Sequence, residues 1–345
     1  MGTRGVTLAD VAKKADVSRT AAAKVLLGTG GDHVRVGNAA RIRVEEAADE
    51  LHYHPNRAAQ QLRGVNTHML GVLMDTLNAP VMNDRLAALE REACRRGYRL
   101  LIGQLHGDLD ALRDYLADFG SRGVDAVLCL FDVTPGRAER LKPILGTHTG
   151  IVMHAKPLEQ DDYCVRVDTA KAIECLIDHL LKSGRRRIGL QLEGAPDELM
   201  TVRRDAYEAA LAAHGEDVDP ALIETAQTEA VDPTAETIGE AIHHLVDKAG
   251  VDAIVASNDV WAAHLIQGLK ARGHRVPEAI AVTGYDNLNL ATIIDPPLTT
   301  IDQQHDLYAS AALDLLITIA SSEPAPPPAQ RTVVVEPKLI VRESA

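Results

Sequence analysis

At Met69 the residue pattern of this 345-residue chain changes, and from there on short, continuous apolar runs alternate with longer amphipathic stretches. A strand that is apolar on both sides must be covered on both faces, and a parallel sheet with helices above and below it does this. The runs at 70–74, 99–103, 124–130, 150–153, 187–192, 253–257 and 280–283 read as strands. The stretches at 84–97, 109–120, 138–145, 169–183, 202–215, 236–250 and 262–273 read as helices. These are more elements than one lobe of ordinary size holds, so the pattern predicts two sheets and two lobes.

Upstream of Met69 the chain has a different character. Residues 1–64 hold ten basic and seven acidic side chains, a net +3, in a chain whose formal net charge is −13; the remainder therefore carries −16. A basic head on an acidic body points to a nucleic-acid partner for the head. Thr7 followed by Asp10 is a capping-box start for a helix over 8–15, with Val11, Ala12 and Ala15 on its apolar stripe. Asp16-Val17 turns the chain, Ser18 is the next N-cap, and the run from Arg19 to Leu26 forms a second helix. A third, from about Ala39 to Leu51, is expected to bury Ile42, Val44, Ala47, Ala48 and Leu51. Three helices with a tight turn between the first pair make a helix-turn-helix, whose second helix starts against base edges in the major groove. Arg19 and Thr20 stand in the first turn of that helix and are the candidates for base contacts, with Lys24 one turn on for a phosphate and the cap Ser18 also counted among the DNA-binding residues.

Next comes Tyr53-His54-Pro55-Asn56-Arg57-Ala58-Ala59-Gln60-Gln61-Leu62-Arg63-Gly64. Pro55 opens about two helical turns, too few to be stable alone, so this segment is expected to fold on contact. Ala58 and Ala59 permit close approach, and Leu62 is the kind of apolar side chain that wedges between base steps in a minor groove.

These motifs together resemble the lactose-repressor family of transcription regulators. Val6-Thr7-Leu8-Ala9-Asp10-Val11-Ala12 matches the family's first helix, and Val17-Ser18 with Lys24-Val25-Leu26 matches its recognition helix. Pro55-Asn56-Arg57-Ala58-Ala59-Gln60-Gln61-Leu62 matches its hinge helix. The resemblance implies DNA contacts from Asn56, Arg57, Ala59 and Leu62, with Leu62 intercalating. It implies an α/β two-lobed core of periplasmic-binding-protein type, two parallel-sheet lobes preceded by the all-α DNA-binding domain. The expected boundaries are 1–52 for the head, 53–66 for hinge and linker, 67–165 with 298–328 for the near lobe, and 166–297 with 329–345 for the far lobe. Pro296-Pro297-Leu298-Thr299-Thr300-Ile301 marks the last crossing and Val341-Arg342-Glu343-Ser344 is a common family ending. The chain departs from the family at Ala21 and Ala23, where hydroxyl residues are usual, at Val81 and Met82, where aromatics are usual, and at Gln304 and Tyr308, where proline and glycine are common.

Ligands of open α/β sheets sit beyond the carboxyl ends of the strands. The residues there are Asp75 and Asn78, His154, the group Asn258, Asp259 and Trp261, and Tyr285 with Asp286; Arg203 begins a helix after the loop 193–200. Carboxylates, amides and an indole around one cleft suit a polyhydroxylated ligand. Two plainer alternatives stay open: Asp259 and Asp286 as helix caps, and Trp261 as core, although its place after Asn258-Asp259 favours a pocket wall. Family effector positions fall on Asp75, Arg203, Asp259 and Asp286, with Asp168 at the crossing between lobes.

Four cysteines without metal-ligand spacing read as reduced thiols. No apolar run is long enough to span a bilayer and no signal-peptide stretch opens the chain, so a cytoplasmic protein is expected. Neither a glycine-rich phosphate loop nor Gly-x-Ser-x-Gly occurs, which weighs against the α/β enzyme that the body alone would permit, and no cofactor or metal is expected. The expected function is a homodimeric repressor of a near-palindromic operator, controlled by a small polar, sugar-like effector. A purine or nucleoside is the alternative ligand.

Overall fold

Most of the continuous apolar runs become buried parallel strands covered on both faces; the run at 99–103 is the exception, an edge strand with Ile102 46% exposed. The structure, a computed structural model, describes residues 6–27, 34–53, 66–75, 79–133, 135–146, 148, 150–194, 198–226, 233–321 and 325–345, without the side chains of Pro135 and Glu198. The chain divides into two units, Met1–Thr67 and His68–Ala345.

The first unit holds α1 (Leu8–Lys14), α2 (Arg19–Leu27) and α3 (Asn38–Glu50). Thr7 and Asp10 form the expected capping box, the Thr7 amide donating to Asp10 Oδ2 at 2.8 Å. Asp16 turns the chain at φ 51°, and Ser18 Oγ caps α2 by accepting from the Ala21 amide at 3.1 Å. Val11, Ala12, Ala15, Ala22, Val44, Ala47 and Ala48 are the buried core. Ile42 is not among them: it is 47% exposed. At 100° per residue it lies roughly opposite Val44 on the helix, so the face that buries 44, 47 and 48 turns 42 outward.

The second unit contains two parallel sheets. The first has the order β11-β5-β4-β3-β1-β2, from β1 (Met69–Met74), β2 (Arg99–Gln104), β3 (Ala126–Leu130), β4 (Ile151–His154), β5 (Tyr163–Val167) and β11 (Thr332–Val335). Its helices are α4 (Pro80–Arg95), α5 (Leu109–Ser121), α6 (Pro135–Leu145) and α12 (His305–Ala320). Leu70, Val72 and Leu128 pack with Leu313 and Leu316 on one face; Leu73 and Cys129 pack with Leu112 and Phe119 on the other.

The second sheet has the order β7-β6-β8-β9, from β6 (Ile188–Leu192), β7 (Ile223–Thr225), β8 (Ala253–Val255) and β9 (Ala281–Thr283). Around it lie α7 (Thr169–Lys182), α8 (Glu198–Ala213), α9 (Ala235–Ile242), α10 (Asp259–Ala271) and the short α11 (Leu290–Ile293). The helix expected over 236–250 is α-helical only to Ile242; His243–Lys248 continues as a π-helix.

Strand pairing corrects the expected lobe boundaries at two places. β10 (Thr300–Asp302) lies beside β9 through the bridges Thr283↔Thr299 and Asp286↔Asp302, and pairs antiparallel with β12 (Lys338–Ile340). Residues 298–302 thus belong with the second sheet, where Leu298 and Ile301 enter its core, rather than opening the near lobe's return. β11 instead pairs in parallel with β5, so 332–335 sit in the first sheet and not in the far lobe. A short apolar strand carries no mark of which edge it will join; pairing decides it.

Candidate functional site

Helix α4 buries the face Arg85, Ala88, Leu89, Ala93, which puts an arginine in a core position, 1% exposed. A guanidinium cannot accept a hydrogen bond, so its surroundings must supply acceptors. Arg85 Nη1 lies 3.1 Å from His154 Nε2, at the carboxyl end of β4, and Nη2 donates to Gln303 Oε1 at 2.5 Å. Gln303 Nε2 donates onward to Asp286 Oδ1 at 2.5 Å. His154 Nδ1 is 2.8 Å from Tyr308 Oη, and the Arg85 guanidinium rests over the Tyr308 ring, 4.5 Å from its centre. A continuous polar chain therefore runs from α12 and β4 of the first sheet, through Arg85 and Gln303, to Asp286 beyond β9 of the second.

Arg203 joins it from α8. It is buried, donates to the Ser257 carbonyl, and lies over the Tyr285 ring at 4.3 Å.

The charges follow from burial. Burial pushes the Asp286 carboxyl up to about 7; repulsion from Asp259 adds to this, while Arg203 and Arg85 oppose it. Burial, reinforced by Arg85, drives the His154 pKa well below its ordinary value, so the ring is neutral. Because Arg85 only donates, Nε2 is the acceptor and Nδ1 carries the proton toward Tyr308 Oη.

Of the residues picked out from sequence, His154, Arg203 and Asp286 are thus brought together. Asp259 is fully buried and serves as a staple: Oδ2 accepts from the Leu288 amide at 2.7 Å and Oδ1 from Thr300 Oγ1 at 2.5 Å. Burial raises its carboxyl to about 7, against the lowering effect of the Thr300 bond. Asn258 caps α10, accepting from the Trp261 amide at 3.0 Å, and its Nδ2 donates to Glu193 at 2.9 Å. Trp261 is not a pocket wall: it is 0% exposed, within the core of Ile242, Leu265, Leu269 and Val282. Asn258 aims the first turn of α10, which turns the indole at the third position inward. Asp168 caps α7 through the Lys171 amide at 3.0 Å. Asp75 forms a two-pronged ion pair with Arg137, Nη2 to Oδ1 at 2.6 Å, at a partly exposed position. Asn78, Asn56, Arg57, Ala59 and Leu62 lie outside the described residues.

Sequence reasoning passed over Arg85, Gln303 and Tyr308 as site residues. The only signals were an arginine on the buried spacing of α4 and a tyrosine at a position where glycine is common; Tyr308 is 0% exposed, its ring filling that space under Arg85.

In the first unit Ser18, Arg19 and Thr20 are exposed at the start of α2, and Lys24 is half-buried. The buried Cys129 and Cys164 thiols are pushed up to about 12 by burial, which makes them poor nucleophiles. Among the described residues no His, Cys, Asp and Glu side chains group as a metal site, and no helix is long and apolar enough to cross a membrane.

Comparison with known proteins agrees with both units. Residues 7–56 match the family of bacterial regulatory proteins, lacI family, and 177–345 match the periplasmic binding protein-like domain. The chain is 27% identical over 314 residues to the ribose operon repressor of Escherichia coli K12, covering 90% of this chain and 92% of the repressor. It is 28% identical over 341 residues to the regulator DegA of Bacillus subtilis, covering 98% and 97%. Among solved structures, the transcriptional regulator CelR in complex with cellobiose superposes with a TM-score of 0.69 at 27% identity, over 99% of this chain and 100% of that one. A lacI-family DNA-binding domain followed by a periplasmic-binding-protein-like domain, in a chain aligned nearly end to end with repressors of that kind, places this protein in the lacI family of bacterial transcription regulators.

Proposed function

We propose that this regulator is a cytoplasmic homodimeric repressor, not an enzyme, and that a small, polar, sugar-like effector bound between its two lobes sets its operator affinity. The observation that carries the reading is the polar chain His154–Arg85–Gln303–Asp286, with Arg203 beside it: it joins groups from both sheets. A ligand contacting residues of both lobes favours one arrangement of the lobes over another, which is what coupling to a second site requires. The ribose operon repressor and the cellobiose-bound CelR are the relatives that direct the choice to sugars.

His154, Arg203 and Asp286 are proposed as the central effector contacts, with Asp75, Asn78 and Asn258 at the edge, Asp168 at the lobe crossing and Asp259 supporting the loop after β9. In the DNA-binding unit Arg19 and Thr20 read bases, Ser18 and Lys24 position the helix, and 53–66 acts as hinge, with Asn56, Arg57 and Ala59 against the groove and Leu62 wedged in it. A head with a net charge of +3 anchors weakly by electrostatics, so two heads on a two-fold axis supply useful affinity. Footprinting on the DNA upstream of the gene should reveal a protected near-palindrome. Protection of all sequences alike would refute the reading.

A further inference from the structure

Two buried guanidinium groups meet at the proposed effector site, and neither is hydrogen-bonded to a carboxylate among the described residues. Arg85, 1% exposed, has only His154 Nε2 and the Gln303 amide oxygen as acceptors; Arg203, 6% exposed, has only the Ser257 carbonyl. The Nε atoms of both are buried without a partner, as is that of Arg137, so it is the missing carboxylate that sets these two apart. Arg137 provides the contrast within the same unit: it is more exposed, yet it holds Asp75 through two prongs. A buried cation left with neutral partners is costly, and a guanidinium is the side chain best shaped to hold a carboxylate or phosphate with two parallel bonds. Arg203 rests over the Tyr285 ring at 4.3 Å and Arg85 reaches the next residue, Asp286, through Gln303, so the two converge on one stretch of chain from α8 and α4.

We infer that the effector is an anionic sugar derivative, bearing a carboxylate or phosphate that is held between Arg85 of the first lobe and Arg203 of the second. This rests on the proposed site between the lobes and narrows its ligand. The Asp286 carboxyl, reached by Arg85 only through Gln303, neutralises at most one of the two cations, and burial pushes it up to about 7, near neutrality. An oxyanion supplies the second charge and bridges the lobes, so the contact that confers specificity is also the one that draws the lobes together.

The test is thermal shift and calorimetry on the full chain with matched probes: D-glucose, D-gluconate, D-glucuronate and glucose 6-phosphate, D-galactose and D-galacturonate, D-ribose and ribose 5-phosphate. An acid or phosphate should bind at least about tenfold more tightly than its neutral parent. Arg85→Met should abolish that preference and Arg85→Lys retain part of it, with far-UV dichroism confirming the fold of each. A response only to carboxylates or only to phosphates supports the inference and names the source of the charge. A neutral sugar bound as tightly as its anion overturns the inference; if Arg203→Met then removes the neutral binding, the site between the lobes still stands. Anion binding untouched by both Arg85→Met and Arg203→Met overturns the inference and the site together, and no response from any probe overturns the anionic class.

Discussion

Arg85 donates to His154 Nε2 across 3.1 Å, and this one contact fixes both the charge and the tautomer of the histidine. A ring that must accept from a guanidinium cannot be an imidazolium, and its proton is left on Nδ1, facing Tyr308 Oη at 2.8 Å. His154→Leu therefore strands a guanidinium nitrogen and a buried phenol at once. The expected cost is about 2–4 kcal/mol, against about 1 kcal/mol for Tyr308→Phe, measured by urea unfolding at pH 7.5. Equal costs for the two variants would contradict the assignment.

The same histidine predicts a pH dependence. Its folded-state pKa lies well below the ordinary 6.5, so it contributes stability above pH 6.5 that is lost as the pH falls and the unfolded chain takes up a proton. The deficit of His154→Leu should shrink between pH 6.5 and 5. A deficit that grows on acidification would reverse the sign.

Asp259 works in the opposite direction. Its carboxyl is raised from 3.8 to about 7, so its contribution is fully present below pH 4 and is lost as the pH rises toward 7. Asp259→Asn keeps an acceptor for the Leu288 amide and offers its NH2 to Thr300 Oγ1. Relative to the parent it should gain on the order of 3–4 kcal/mol between pH 4 and pH 8. Parallel stability curves over that range would show that Asp259 is ionised throughout.

Gly284 presses against that staple. A Cβ there would overlap Asp259 Oδ1 and come within 2.7 Å of Leu298 Cδ2. Gly284→Ala should cost about 3 kcal/mol in thermal unfolding, because backbone and a buried carboxylate have to move together. A change below about 0.5 kcal/mol would mean that the loop after β9 is looser than it looks.

The alternation after Met69 made two parallel-sheet lobes legible, because buried parallel strands leave unbroken apolar runs. The caps at Thr7 and Ser18 were legible because their hydrogen bonds are local. Arg85 was not, since nothing short-range tells an arginine on a buried stripe from one that reaches solvent; its partners lie 69 and 218 residues away. Trp261 misled for a related reason: position after a strand end indicates nearness to the cleft, whereas the cap on Asn258 determines which way the third residue of the helix turns. The lobe membership of 298–302 and 332–335 depended on strand pairing, which short apolar segments do not encode.

At the head, Arg19→Ala should reduce discrimination between operator and mismatched DNA by about 1–3 kcal/mol, the worth of one base contact. Leu62→Ala should instead weaken operator binding while leaving the oligomeric state unchanged. Competition titrations with specific and scrambled duplexes separate the two, and equal losses on both duplexes for both variants would exchange reader and positioner.

Operator affinity, measured by fluorescence anisotropy on the footprinted duplex with and without the probe that most raises the melting temperature, tests the coupling itself. At saturating probe the apparent Kd should change by at least about fivefold for the parent, and not at all for Arg203→Met. An unchanged Kd for the parent, with the probe demonstrably bound, would contradict control of DNA binding from the site between the lobes.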